Sequence, residues 1–312
     1  MVKLPLAGGP GEHMKAECPV CLTEAETAIV EHWHEFSLLH CHACDVVFSQ
    51  PMRSPGIEWH AELHYCRDIE GATEVGWNHQ QFLKDGPAPG GTLLDVGCGT
   101  GSFLSRARAA GYTVAGIDLD PHAIDGVRNR LGIDDVQAIS LDEFVQRAEG
   151  RRFDIVTSFE VLEHQEDPNS FMDQIRTLLK DDGYLALSVP YRDRWPRYKF
   201  RWDYPPNHLT RWSKRALEQF LRRHGFEVLT VRTGWIGTDE VLGDKLRLGI
   251  IRRLARLSGA RPSDSPQRVA VRTISIMRKA RSSLLKYVAF PIDAMLSLRG
   301  ATGSDMYGLA RR

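Results

Sequence analysis

The stretch Leu93-Leu94-Asp95-Val96-Gly97-Cys98-Gly99-Thr100-Gly101-Ser102 constrains this chain more than any other. A short apolar run breaks into alternating glycines and resumes as a helical pattern at Ser102, the signature of a strand passing through a tight turn into a helix. Similar runs follow downstream. The pattern predicts strands at Thr92–Val96, Thr113–Asp118, Val136–Ile139, Phe153–Phe159 and Tyr184–Val189. It predicts helices at Ser102–Ala110, Pro121–Leu131, Leu141–Ala148, Asn169–Leu179 and Ser213–His224. That alternation specifies an α/β fold, a parallel sheet with helices on both faces. Ligands of such sheets bind beyond the carboxyl ends of the strands, where the glycine turn lies.

The glycines decide between ligands. A dinucleotide loop needs G-x-G-x-x-G, so that a pyrophosphate can reach the helix N-terminus. Here the pattern is Gly97-x-Gly99-x-Gly101, with Ser102 in place of the last dinucleotide glycine. Asp95 precedes the loop, and a carboxylate there suits a ligand with a cationic amine and sulfonium better than one with two phosphates. Asp118 closes the second strand in Gly116-Ile117-Asp118-Leu119-Asp120, where a carboxylate can accept both ribose hydroxyls. The alternative role for Asp118, capping the next helix, falls more naturally to Asp120, which precedes Pro121.

Three motifs in order resemble those of class I S-adenosylmethionine-dependent methyltransferases: Leu93 to Gly101, then Gly116 to Asp120, then Phe153-Asp-Ile-Val-Thr-Ser-Phe-Glu-Val-Leu-Glu-His164. The resemblance covers roughly residues 92 to 233. It implies a Rossmann-like sheet of seven strands, the last antiparallel and inserted between two others. It also implies that Asp95, Gly97, Gly99 and Gly101 surround the methionine moiety, Asp118 holds the ribose, and Leu119 and Ser140 flank the adenine.

Methyl transfer from a sulfonium needs an aligned acceptor and, where required, a group to take its proton. Two histidines are candidates. His164 closes the third motif, and is equally readable as a structural histidine. His208 lies in Asp203-Tyr-Pro-Pro-Asn-His-Leu-Thr-Arg-Trp-Ser213, with Ser213 a helix N-cap, so it sits on a loop above the expected pocket. A loop histidine titrating near neutrality suits a general base; the alternative is a backbone-bonded histidine in a Pro-Pro turn.

Cys18-Pro-Val-Cys21 and Cys41-His-Ala-Cys44 are two C-x2-C knuckles separated by 19 residues. Four thiolates so spaced suit a closed tetrahedral structural zinc site, with a redox pair or disulfide as the alternative. His32, His34, His40 and His42 lie between or beside the knuckles, mostly as expected surface residues. A zinc ribbon combined with His208-Leu-Thr-Arg-Trp-Ser213 resembles methyltransferases of glycan and polysaccharide biosynthesis. It also resembles zinc-ribbon sugar C-methyltransferases, which place a Glu-His pair where this chain has Asn207-His208. A rival reading is methylation of ribosomal RNA or another nucleic acid. Against it, neither an Asn/Asp-Pro-Pro-aromatic motif after the fourth strand nor a Pro-Cys nucleophile is present. A third reading is a cofactor-binding protein without turnover.

The formal charge of zero hides an asymmetry: Val241 to Phe290 hold twelve Lys/Arg and two Asp/Glu. Two amphipathic helical patterns run through this stretch, which is expected to pack on its own domain, contact an anionic membrane surface, or bind phosphates. No apolar run is long enough to span a membrane, and the first ten residues have too short an apolar core for a signal peptide. A cytoplasmic protein is expected, peripheral to the inner membrane surface if the basic helices dock there, with a small-molecule, glycan or lipid-linked acceptor. The expected organisation is a zinc ribbon at 1–55, a helical connector at 56–91, a methyltransferase core at 92–235, a basic helical insertion at 236–303 and a final strand at 304–312.

Overall fold

The computed structural model describes residues 13–56, 76–194, 203–234 and 302–312. The expectations for the basic stretch at 241–290, and for most of the connector before residue 76, lie outside the described residues. The chain divides into two compact units. The first comprises Met1–Asp193, Lys199–Thr233 and Asp305–Arg312; the second comprises Arg194–Tyr198 and Gly234–Ser304. Among the described residues of the second unit, Gly303 N–H donates to the Gly234 carbonyl at 2.8 Å.

The first unit is built on a seven-stranded sheet. Its strands are β5 (Thr92–Val96), β6 (Thr113–Asp118), β7 (Val136–Ala138), β8 (Phe153–Phe159), β9 (Leu179–Pro190), β11 (Glu227–Thr233) and β12 (Asp305–Arg311). Their spatial order is β11-β12-β9-β8-β5-β6-β7. The pairs among β5 to β9 are parallel, while β12 runs antiparallel to both neighbours, β9 and β11. The order reverses between β5 and β8, which places the glycine loop at the switch point.

Local chemistry sets the helix boundaries. The helices are α1 (Trp77–Asp85), α2 (Ser102–Ala109), α3 (Pro121–Leu131), α4 (Leu141–Arg147), α5 (Pro168–Leu178) and α6 (Lys214–Arg223). Side-chain oxygens of Asp120, Ser140, Asp167 and Ser213 accept the first free N–H groups of α3, α4, α5 and α6. Proline at the start of α3 and α5 has no N–H to leave unpaired. Gly132, left-handed at φ 58°, ends α3. The β9 strand begins at Leu179, five residues earlier than the apolar pattern predicts. Lys180, Asp181 and Asp182 near its start are exposed, so burial could not mark them.

The N-terminal segment forms a second, antiparallel sheet of β1 (His13–Glu17), β2 (Glu24–Trp33), β3 (Phe36–His40) and β4 (Val47–Gln50). Its fifth strand, β10 (Thr210–Arg211), comes from the connection between β9 and β11 of the seven-stranded sheet. Buried side chains are continuous from Cys18, Val20, Leu39 and Phe48 through Trp212, Leu217 and Phe220 to Leu187 and Met306. The boundary near residue 55 therefore separates stretches of chain but does not divide the core. Among the described residues no helix is long and apolar enough to cross a membrane.

Candidate active site

The cofactor side is built by one continuous piece of chain. After β5, Gly97, Gly99 and Gly101 all take positive φ, at 79°, 51° and 76°. Gly97 and Cys98 N–H groups donate to the Ile117 carbonyl at 2.8 and 3.0 Å, folding the loop back over β6. A Cβ at Gly97 would meet Val161 Cγ2 at 2.5 Å, so the loop lies directly on the segment after β8. A Cβ at Gly99 would meet nothing within 4 Å: this is the open side of the loop, where a ligand can approach the backbone.

Two carboxyls flank that opening. Asp118 accepts from Gly99 N–H at 2.7 Å on one oxygen and from Asp120 N–H at 2.9 Å on the other, so the loop itself aims its carboxylate. Asp120 accepts from His122 N–H at 2.9 Å and serves as the cap of α3, as the sequence suggests. Leu119 beside them is exposed. Asp95 is buried and accepts from Thr157 Oγ1 at 2.6 Å. Burial, with a smaller push from the Asp118 charge, raises its carboxyl to about 7. A cationic ligand would hold it ionised, and the donor set thus fits an aminoacyl sulfonium. Ser140 is the N-cap of α4, where its hydroxyl accepts from Glu143 N–H at 3.1 Å.

The acceptor side is assembled from separate segments. Beyond β8 the chain turns at Glu160, left-handed at φ 58°, into a 3-10 turn at Leu162–His164. Glu160 accepts from Ser188 Oγ at 2.7 Å, and Ser188 Oγ in turn accepts from Asn78 Nδ2 of α1 at 2.8 Å. Glu163 is completely buried, and neither carboxylate oxygen has a hydrogen-bond partner. His164 Nε2 lies 3.7 Å and His208 Nε2 3.9 Å from its Oε1. The two imidazoles stand edge to face with centroids 4.9 Å apart. His164 Nδ1 lies 2.6 Å from the Asn207 carbonyl, which requires a proton on Nδ1 and turns Nε2 towards Glu163. His208 Nδ1 lies 3.8 Å from Asp203 Oδ1. Burial pushes Glu163 up to about 8 and Glu160 well above the carboxylate range, the latter also raised by the charge of Glu163.

The structure therefore brings His164 and His208 together and adds a group that the sequence does not single out. Asn207 stands beside His208 in the sequence, while Glu163 reaches His208 from another element. The Glu160-x-x-Glu163-His164 spacing is visible in the sequence, but only the fold shows Glu163 turned inward. Donor atoms of Glu163, His164 and His208 all lie within 4.8 Å of one another, the dimensions of a cation site.

The four knuckle cysteines also converge. Cys18 and Cys44 Sγ are 3.7 Å apart, Cys21 and Cys41 Sγ 3.6 Å, and all four lie within 4.8 Å. None is in a disulfide. Zinc–thiolate bonds of about 2.3 Å in a tetrahedron put sulfurs about 3.8 Å apart, so the donor set fits that ion.

Residues 72–231, just over half of the chain, match the family described as "Methyltransferase domain". A ubiquinone biosynthesis O-methyltransferase of Actinobacillus pleuropneumoniae serotype 5b (strain L20) is 42% identical over 109 residues, covering 32% of this chain and 46% of that protein. A tRNA U34 carboxymethyltransferase of Aeromonas hydrophila subsp. hydrophila is 34% identical over 183 residues, 53% of this chain and 54% of that protein. The matched stretch thus spans about half the length of these curated relatives. The cyclopropane synthase MmaA2 from Mycobacterium tuberculosis shares the fold at a TM-score of 0.51 and 18% identity, covering 83% of this chain and 99% of that one.

Proposed function

The chain belongs to the methyltransferase domain family, and on that premise we propose that it methylates a hydroxyl of a small acceptor bound over Glu163, His164 and His208. S-adenosylmethionine is the donor. The acceptor oxygen forms a bond to the methyl carbon as the carbon–sulfur bond breaks; S-adenosylhomocysteine leaves, and the hydroxyl proton passes to His208. Asp95 and the loop of Gly97, Gly99 and Gly101 hold the aminoacyl sulfonium, with Asp118 on the ribose and Leu119 against the adenine. The observation that carries this reading is the buried Glu163 facing two imidazoles, on a segment that touches the glycine loop through Val161 and Gly97. The four cysteines hold a structural zinc ion.

Acceptors to test first are precursors in ubiquinone biosynthesis, in view of the relatives, together with glycan-related and lipid-linked hydroxyls. A lipid-linked acceptor would give the basic residues of 241–290 a role at an anionic membrane surface. Flotation with anionic vesicles tests that part, and equal binding to neutral vesicles removes it. Methyl-labelled S-adenosylmethionine supplied with fractionated lysate tests the whole. Label in lipid, small-molecule or glycan fractions, lost in His208→Ala, supports the reading; label in RNA overturns it.

The near-contact of the Glu163, His164 and His208 donors favours one second reading, in which they hold a divalent cation that acidifies the acceptor hydroxyl. Turnover that is lost on dialysis leaving the cysteine-bound zinc in place, and restored by magnesium or manganese, selects it over a histidine base.

A further inference from the structure

The cysteine cluster takes no part in the chemistry above, yet the residue next to it connects to the active-site loop. Asp45 follows Cys44 directly, at a left-handed φ of 64°, with its N–H donating to the Cys41 carbonyl at 2.8 Å. Its carboxylate lies 2.8 Å from His40 Nε2, and accepts from Ser213 Oγ at 2.6 Å and from both Arg192 Nη atoms at 3.2 Å. Its carbonyl accepts from Arg192 Nη1 at 2.5 Å. Arg192 follows β9 and Ser213 caps α6, so Asp45 holds the chain on both sides of the segment that carries His208.

The next ribbon strand grips that segment itself. Ser49 N–H donates to the Leu209 carbonyl at 2.8 Å, and β4 pairs Phe48 with Thr210 and Val47 with Arg211. Tyr204 stacks on Trp33 at 4.0 Å between centroids and donates to Glu31 at 2.8 Å. On the other side, Leu209 N–H donates to the Glu163 carbonyl at 2.8 Å. His208 is thus clamped between the ribbon and the Glu163 turn, whereas among the described residues the glycine loop takes no backbone bond from the ribbon.

We propose that the metal-bound cysteine knuckles act as a positioning device for the active site, with Asp45 as the positioning residue that sets the loop of His208. The metal fixes the Cys41–Cys44 turn, the turn fixes Asp45, and Asp45 together with β4 fixes residues 203–213. Loss of the metal or of the Asp45 carboxylate releases the loop and leaves the cofactor pocket standing. The inference rests on His208 serving the reaction, but its test reads the loop without turnover, so the two fail separately.

Amide hydrogen exchange on the full chain is compared for zinc-loaded wild type, chelator-stripped wild type, Asp45→Ala and Asp45→Glu. The expected result is exchange faster by about tenfold or more at Leu209 and Arg211 in stripped protein and in Asp45→Ala. Gly97 and Cys98 amides and S-adenosylhomocysteine affinity stay unchanged, and Asp45→Glu recovers part of the protection. The His208 imidazole resonance, assigned by its absence in His208→Gln, shifts in Asp45→Ala. Because stripping can unfold the ribbon outright, Asp45→Ala with its zinc retained is the decisive arm. Unchanged exchange at Leu209 and Arg211 in that variant overturns the proposal, as does an equal rise at Gly97 and Cys98 with parallel loss of S-adenosylhomocysteine binding.

Discussion

The two halves of the site are constructed in opposite ways. The cofactor half uses one run of chain, from Asp95 to Asp120, and relies on backbone: three left-handed glycines, N–H groups bonded across the loop, and Asp118 aimed by Gly99 N–H. The acceptor half relies on side chains brought from the turn after β8 and from the loop before β10, held in place by a ribbon more than a hundred residues upstream. A continuous backbone-built pocket survives the loss of any distant contact. An assembled one depends on every segment that positions it. The two halves should therefore separate under mutation.

The largest separation is expected from His208→Ala. Loss of a general base costs about 10²–10⁴-fold in turnover, while S-adenosylhomocysteine titrated calorimetrically should bind as to wild type. A variant that loses both would mean the halves are one cooperative unit. The mirror experiment is Asp118→Ala, which removes hydrogen bonds of a charged acceptor, worth about 1.5–3 kcal/mol, or roughly 10- to 150-fold in cofactor affinity. Protection of the Leu209 amide should not change; faster exchange there would blur the contrast.

Glu163 sharpens the comparison through pH. Its buried carboxyl keeps its proton in the fold up to about pH 8, against an ordinary value of 4.5. A folded-state value above the unfolded one means that its contribution is fully present below about pH 4.5 and is lost as pH rises towards 8. Glu163→Gln, which cannot ionise, should therefore gain thermal stability over wild type progressively across that window. Thermal unfolding of ligand-free protein with its zinc retained checks this, and a lead that does not grow with pH removes the buried charge from the account. Asp95, raised to about 7 by burial, adds a slope of the same sign in wild type and in the variant alike, so it cancels in the difference.

What could be read in the sequence follows the same division. The alternation of strands and helices, the glycine loop, the Asp120 and Ser213 caps and the final strand all depend on residues near in sequence, whose periodicity and turn chemistry act locally. The Glu163–His208 approach spans 45 residues, and no local pattern reports it. The β4–β10 pairing spans more than 160 residues, and two-residue β10 is too short to show any alternation. Asp45 looks like one more acidic residue after a knuckle until the fold brings Arg192 and Ser213 to it.

Ser140 gives the smallest effect and the finest test, because the family resemblance and the structure use it differently. The resemblance sets it beside the adenine; the structure employs its hydroxyl as the cap of α4. Removing a serine cap costs about 1 kcal/mol, which in a protein of this size lowers Tm by about 1–2 °C. The hydroxyl keeps its own hydrogen free to donate while its oxygen accepts from Glu143, so the two roles are chemically compatible, and Tm alone cannot separate them. Ser140→Ala and Ser140→Asp do. Aspartate caps as well as serine but has no hydrogen to give, so Ser140→Asp should restore Tm whichever role holds. If Ser140 is only a cap, both variants bind S-adenosylhomocysteine as wild type does. If it also donates to the adenine, both lose affinity, and Ser140→Asp does so with its stability intact.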